Sequence, residues 1–118
     1  FYVQYAHARV VAIEGNVMGL SLDGSTLADI IAKKEGRALA MKILEFSEVI
    51  DSVAGDFQVN KLTTYAYELA NEFNKFYRDV RVINEDTCDA GALALMQITK
   101  ETLASSLKLL GISAPERM

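Results

Sequence analysis

Tyr2, Tyr5 and Arg9 stand at i, i+3 and i+7 of a segment whose apolar residues Val3, Ala6, Val10 and Ile13 recur at helical spacing. Two phenol rings and a guanidinium therefore share one face beside an apolar stripe. Rings of this kind stack on unpaired bases, and a guanidinium adds charge and in-plane donors, so the set could form a platform for single-stranded nucleic acid. The same spacing also suits a plainer role, in which the tyrosines close the edge of a core with their hydroxyls in water. Tyr77, followed by Arg78 at the end of a second long apolar pattern, poses the same choice.

No comparable set exists for catalysis. His7 is the only histidine and Cys88 the only cysteine, so there is neither a Ser/His/Asp set nor a histidine pair at metal-ligand spacing, and no Gly-rich phosphate loop occurs. His7 falls two positions after Tyr5 on a different face and is assigned a surface or hydrogen-bonded role. Cys88 has no partner for an internal disulfide and no neighbours for a zinc site, which predicts a reducing, cytosolic setting. The acidic pairs Glu85-Asp86 and Glu45/Glu48 read as solvated carboxylates, not as a general acid and base. Lys33, Lys34 and Arg37 form a small basic cluster, read as a solvated helix junction with phosphate contact as the functional alternative.

The elements that must position these residues are helical. The first apolar pattern predicts a helix from Phe1 to about Glu14, ended by Gly15-Asn16. Three glycines between Gly15 and Gly24 mark a loop, and Ser25 is placed to cap a short helix running through Lys34. From Glu35, the residues Leu39, Ile43, Leu44, Phe46, Val49, Ile50 and Val53 predict two helices in series, or one that bends near Phe46-Ser47, ending at Gly55-Asp56. Leu62, Tyr65, Ala66, Leu69, Phe73, Phe76, Tyr77 and Val80 then make one broad stripe opposite Glu68, Asn71, Glu72 and Lys75, with Asn60 as N-cap. Val80 to Ile83 alternate too briefly for a sheet and read as an extended connector. Thr87 or Asp86 caps a last helix carrying Ala92, Leu95, Met96, Thr99, Leu103, Leu107 and Leu110, which stops at Gly111 before Pro115. The prediction is an all-α, antiparallel bundle of four to five helices.

The 118 residues, 51% hydrophobic and 24% charged, fit one globular domain with a real core and no need of disulfides or a structural metal. No segment reaches the ~18 apolar residues of a membrane span, so a soluble domain without a membrane partner is expected. The chain opens on Phe1 inside a helical pattern, which predicts a piece of a longer protein. A formal net charge of −4 argues against a broad duplex-binding surface, though not against recognition of splayed bases.

The two ends of the chain narrow the choice. Phe1-Tyr2-Val3-Gln4-Tyr5-Ala6-His7-Ala8-Arg9 resembles the signature of arginyl-tRNA synthetases at the junction of the catalytic and anticodon-binding domains, and Leu109 to Met118 resembles that family's closing motif. Tyr65 to Ala70, Phe73 to Tyr77 and Ala92 to Leu95 are similar to the interior of its DALR domain. Residues 16–34 match least, and Ser47 stands where the family places a proline after the phenylalanine. The resemblance divides the single domain, residues 1–118, into a junction helix (1–15), a loop with a short helix (16–34) and the main bundle with its tail (35–118).

The resemblance implies a C-terminal module that binds the anticodon loop of tRNA(Arg), with Tyr2, Tyr5, Arg9, Tyr77 and the C-terminal Met118 gathered around it. Every arginine anticodon has cytosine in the middle, and its N4 amine calls for an acceptor such as a carboxylate or carbonyl. The implied parent ligates arginine to tRNA in the cytoplasm, using ATP and Mg in a catalytic domain. Motifs of the HIGH and KMSKS types occur nowhere in this sequence, so no cofactor and no catalysis are expected of the fragment itself. The alternative is a helical protein-interaction domain, which the acidic charge favours. The related domains of cysteinyl-tRNA synthetase and of the glycyl enzyme's larger subunit fit the two end motifs less well.

Overall fold

A computed structural model describes residues 1–56, 58–111 and 114. Six helices and three two-residue strands follow one another as α1 (Tyr2–Asn16), β1 (Ser21–Leu22), α2 (Leu27–Ile31), α3 (Lys34–Leu44), α4 (Phe46–Asp56), α5 (Val59–Asp79), β2 (Ile83–Asn84), β3 (Thr87–Cys88) and α6 (Ala90–Leu109). The fold is all-α, with α2 as a single short turn beside five longer helices.

α5 is the axis of the bundle. Leu62, Tyr65, Ala66, Leu69, Phe73, Phe76 and Val80 of the predicted stripe are buried, and Leu69, Phe73 and Phe76 are wholly so. They meet Val10 of α1, Leu39 of α3, and Leu95, Met96 and Leu103 of α6 in one apolar cluster. Tyr2 touches Tyr67 while Arg9 touches Tyr77, so α1 and α5 run side by side in the same sense. Glu14 of α1 meets Gln97 and Lys100 of α6, while the first turn of α1 lines a cleft with Leu107 and Leu110; α6 therefore runs opposite to both.

Polar groups inside this packing have local partners. The buried Tyr65 hydroxyl donates to the Lys42 carbonyl at 2.7 Å, in the last turn of α3, where that carbonyl also accepts from the Glu45 amide at 3.2 Å. Thr99 and Ser106, buried on α6, turn their hydroxyls back to the carbonyls of Leu95 and Thr102, both at 2.9 Å. That back-bonding is how a hydroxyl sits on an apolar helical face without an unmet donor.

Several sequence expectations are corrected. The short helix is capped by Thr26, not Ser25, through a reciprocal capping box with Asp29, and it ends at Ile31, before α3 begins at Lys34. α5 starts at Val59, so Asn60 lies inside its first turn and Gln58 is the N-cap. α6 is capped by Asp89, not by Thr87 or Asp86. The connector after α5 does pair: β2 and β3 form a small hairpin, and β1 joins β3 in parallel.

Ser25 has another task. Its hydroxyl accepts from the Gly91 amide at 3.1 Å, while Asp23 accepts from Ala90 at 3.2 Å and Asp89 from Ala92 at 2.9 Å. Three of the amides that open α6 are thus met by the loop after β1 and by the N-cap. These bonds and the β1–β3 pairing bind the loop to α6, the buried neighbour of α1.

Candidate nucleic-acid interface

The candidate face lies along the seam of α1 and α5. At its near end the Tyr2 ring packs on Tyr67, with centroids 4.8 Å apart and planes tilted by 34°. At its far end Arg9 covers the Tyr77 ring, its Cζ 5.1 Å from the centroid, and Tyr77 in turn stacks on the buried Phe73 at 6.1 Å and 14°. Tyr5 stands between the two ends with 56% of its surface open, against 37% for Tyr2 and 41% for Tyr77.

Asn74 joins the two ends, and donor chemistry sets its direction. A guanidinium can only donate, so the 3.0 Å contact from Arg9 Nη1 places the Asn74 carbonyl oxygen toward the arginine. The Asn74 amide nitrogen then donates to the Tyr2 hydroxyl at 2.8 Å. That hydroxyl, having accepted, offers its own proton toward Asn71 Oδ1 at 3.4 Å, a long and weak bond. The relay Arg9, Asn74, Tyr2, Asn71 runs one way and fixes the side chains that flank Tyr5.

Of the residues singled out from sequence, Tyr2, Arg9 and Tyr77 are brought together here and Tyr5 is on the same surface. Met118 lies outside the described residues. Tyr2 does more than close the core edge, because its hydroxyl is held by two asparagines. Tyr67, Asn71 and Asn74 were not foreseen as site residues, although they recur at i, i+4 and i+7 beside the α5 stripe, a face that helical spacing could have picked out.

Next to Tyr77 an open groove of about 370 Å³ is bounded by Asn16, Val80 and Arg81 over the aliphatic side chains of Ile13, Val82 and Ile83. Its lining combines the amide of Asn16, the guanidinium of Arg81 and the Tyr77 ring with four aliphatic side chains. That composition suits a flat, partly polar ring more than a large apolar surface.

The remaining candidate groups lie in varied settings. Cys88 is buried and burial pushes its thiol up, away from the thiolate form that reacts. His7 is also buried. Glu45 is exposed within 3.5 Å of Lys42, and Glu85 and Asp86 are exposed at the tip of the β2–β3 hairpin. No group of three or more His, Cys, Asp or Glu among the described residues could hold a metal ion, and no helix among them is long and apolar enough to cross a membrane.

Comparison with known families gives this seam its context. Residues 3–118 match the family model described as the DALR anticodon binding domain. The chain belongs to that family. It is 43% identical over 122 aligned residues, its whole length, to arginine–tRNA ligase 1 of Halalkalibacterium halodurans, and 38% identical over 122 to the arginine–tRNA ligase of Dehalococcoides mccartyi. In each case it spans 22% of the relative's length. The structure of arginyl-tRNA synthetase from Thermus thermophilus superposes with a TM-score of 0.79 at 35% identity, covering 99% of this chain and 21% of that one. The helical architecture is that of a DALR domain, and the small sheet is a local addition to what the sequence led us to expect.

Proposed function

We propose that this DALR domain is the anticodon-loop-binding module of an arginyl-tRNA synthetase and that it reads the middle cytosine of tRNA(Arg) by aromatic stacking and edge hydrogen bonds. The reading is carried by one observation: the open Tyr5 ring, with the partly open Tyr77 ring beneath Arg9, lies on a face where Tyr2 and Arg9 are locked by the Asn74 relay. A platform fixed before binding loses little freedom when a base stacks on it. The acceptor for the cytosine amine comes from backbone groups or, by its resemblance to the family's closing residue, from Met118.

The parent chain ligates arginine to tRNA with ATP and Mg in a separate catalytic domain, in the cytoplasm, and this module binds no cofactor and performs no chemistry. Its partners are the tRNA(Arg) anticodon loop and the catalytic domain of the same chain. A mixture of the 118-residue chain with ATP, arginine and tRNA yields no charged product.

The test is a titration with an arginine anticodon stem-loop and with one whose middle cytosine is changed. Preferential binding of the first supports the reading. Equal or absent binding favours the second reading, a protein-interaction domain, which the net charge of −4 and the exposed Met41 and Leu44 of α3 support.

A further inference from the structure

Sorting the lysines and arginines by partner divides them in two. Lys42, Lys61, Lys75, Arg78 and Lys100 each lie within ion-pair distance of a carboxylate. Among the described residues, Arg9, Lys33, Lys34, Arg37, Arg81 and Lys108 do not. Scarcity of acids is not the cause, because sixteen Asp and Glu face twelve Lys and Arg in the whole chain.

All of these cations except Lys108 gather around the C-terminal end of α5. Arg9 covers Tyr77, and Arg81 borders the same ring across the groove. On the other side of α5, Lys34 shares a cleft with Lys75, Phe76 and Asp79, and Lys33 and Arg37 are exposed at the adjoining first turn of α3. The carboxylates of that cleft are Glu35, Glu72 and Asp79. Glu72 and Asp79 pair with Lys75 and Arg78 of their own helix, and among the described residues no carboxylate of the cleft lies within ion-pair distance of Lys33, Lys34 or Arg37. Lys33 and Lys34 also stand at the positive end of the α3 dipole, where cations are disfavoured. The cluster therefore carries a local electrostatic cost that an external anion would relieve.

We propose that Lys33, Lys34 and Arg37 bind the phosphodiester backbone of the RNA stem whose loop lies on the Tyr5–Arg9–Tyr77 face, a proposal that rests on the anticodon-loop reading. The two surfaces flank the last turns of one helix, so about 10–12 Å of helix width separates them. Phe76, the ring of the α3-side cleft, is buried, so this side can hold phosphate charge and cannot stack a base. Contacts here position the RNA without reading its sequence, and the division of labour resolves how an acidic domain binds a polyanion: the nearby Glu72 and Asp79 are paired within α5, and Lys33, Lys34 and Arg37 keep their charge for the phosphates.

The test is the salt dependence of binding between about 50 and 200 mM salt. Titrations of the anticodon hairpin, and of its loop alone as a linear strand, are compared for wild type, K33Q/K34Q/R37Q and Y5A. The triple variant is expected to lower the slope of log affinity against log salt by about two to three, each phosphate contact contributing about 0.7–0.9. It should weaken hairpins with either middle base equally and leave the linear strand unaffected. Y5A should lose affinity at an unchanged slope, and K33R/K34R should keep the wild-type slope. The three single Gln variants, each lowering the slope by just under one, carry the test if the triple variant does not fold. An unchanged slope with intact wild-type binding overturns this proposal alone; failure of wild type to bind the hairpin overturns the functional reading with it.

Discussion

The Arg9 guanidinium lies over the Tyr77 ring at 5.1 Å while its Nη1 donates to Asn74 at 3.0 Å. Two weak contacts thus hold one long side chain, each worth about 0.5–1.5 kcal/mol in exposed settings. Asn74 is the hinge of the arrangement, because Arg9 and Tyr2 both depend on it. Asn74→Ala should cost about 1 kcal/mol of stability and weaken anticodon hairpin binding, whereas Asn74→Asp should keep Arg9 in place and lose only the donor to Tyr2. Chemical denaturation and hairpin titration of the two variants separate the effects. Equal affinity in wild type and Asn74→Ala would remove the relay from the binding mechanism.

Tyr5 is the cleanest probe of stacking, because its ring is as open as that of Tyr67 but, unlike Tyr2, Tyr67 and Tyr77, it packs against no other ring or guanidinium found among the described residues. Tyr5→Ala should weaken hairpin binding by about 1–3 kcal/mol and change stability by less than about 0.5 kcal/mol. Tyr5→Phe should retain most of the affinity, since stacking uses the ring. A melting temperature that falls along with affinity would assign Tyr5 to the core edge instead.

How much of this was readable from sequence depends on the range over which each signal acts. α1, α5 and α6, of 15, 21 and 20 residues, announce themselves because a periodic stripe is repeated several times along one segment. The caps did not, because cap-type residues stand side by side at Ser25-Thr26 and from Asp86 to Asp89 and sequence alone points to the wrong ones, while the further acceptors Asp23 and Ser25 serve a helix that begins more than sixty positions later. The β1–β3–β2 sheet was missed because its strands have two residues each, too few to show alternation. Spacing put Tyr2 and Arg9 on one face, and the resemblance at the two ends of the chain nominated them. Spacing could also have marked the face that carries Asn71 and Asn74, but not their role, since an amide on a polar helix face looks like any solvated residue until a neighbouring helix faces it.

The loop-to-α6 junction tolerates no side chain at one glycine. A Cβ at Gly91 would fall 2.1 Å from the Thr26 carbonyl oxygen, whereas one at Gly15, on the last turn of α1, meets nothing within 4 Å. Gly91→Ala should therefore cost about 3 kcal/mol, the upper part of the range for overpacking. Gly15→Ala should stabilise by about 0.4–1 kcal/mol by restricting the unfolded chain. Urea unfolding of the pair checks both signs, and a neutral Gly91→Ala would mean that the loop can leave α6 freely.

Acid should loosen the same junction and the α1–α6 contact. At Glu14 burial works to raise the carboxyl, but the hydrogen bonds from Lys100 and Gln97 and the charge of Lys100 outweigh it, so its pKa falls below the ordinary 4.5. At Asp23 the Ser25 hydroxyl and amide and the Ala90 amide hold the carboxyl below its ordinary 3.8. A carboxyl whose folded pKa is depressed adds stability that is fully present above its unfolded pKa and is lost as pH falls through the folded one. Wild type should therefore hold its melting temperature down to about pH 5 and lose it progressively below about pH 4.5. Glu14→Gln, which removes a partly exposed pair worth about 0.5–1 kcal/mol, should melt lower at neutral pH and show a shallower decline in acid. If the two proteins kept the same melting-temperature difference from pH 7 to pH 3, the Glu14 carboxylate would have no part in joining α1 to α6.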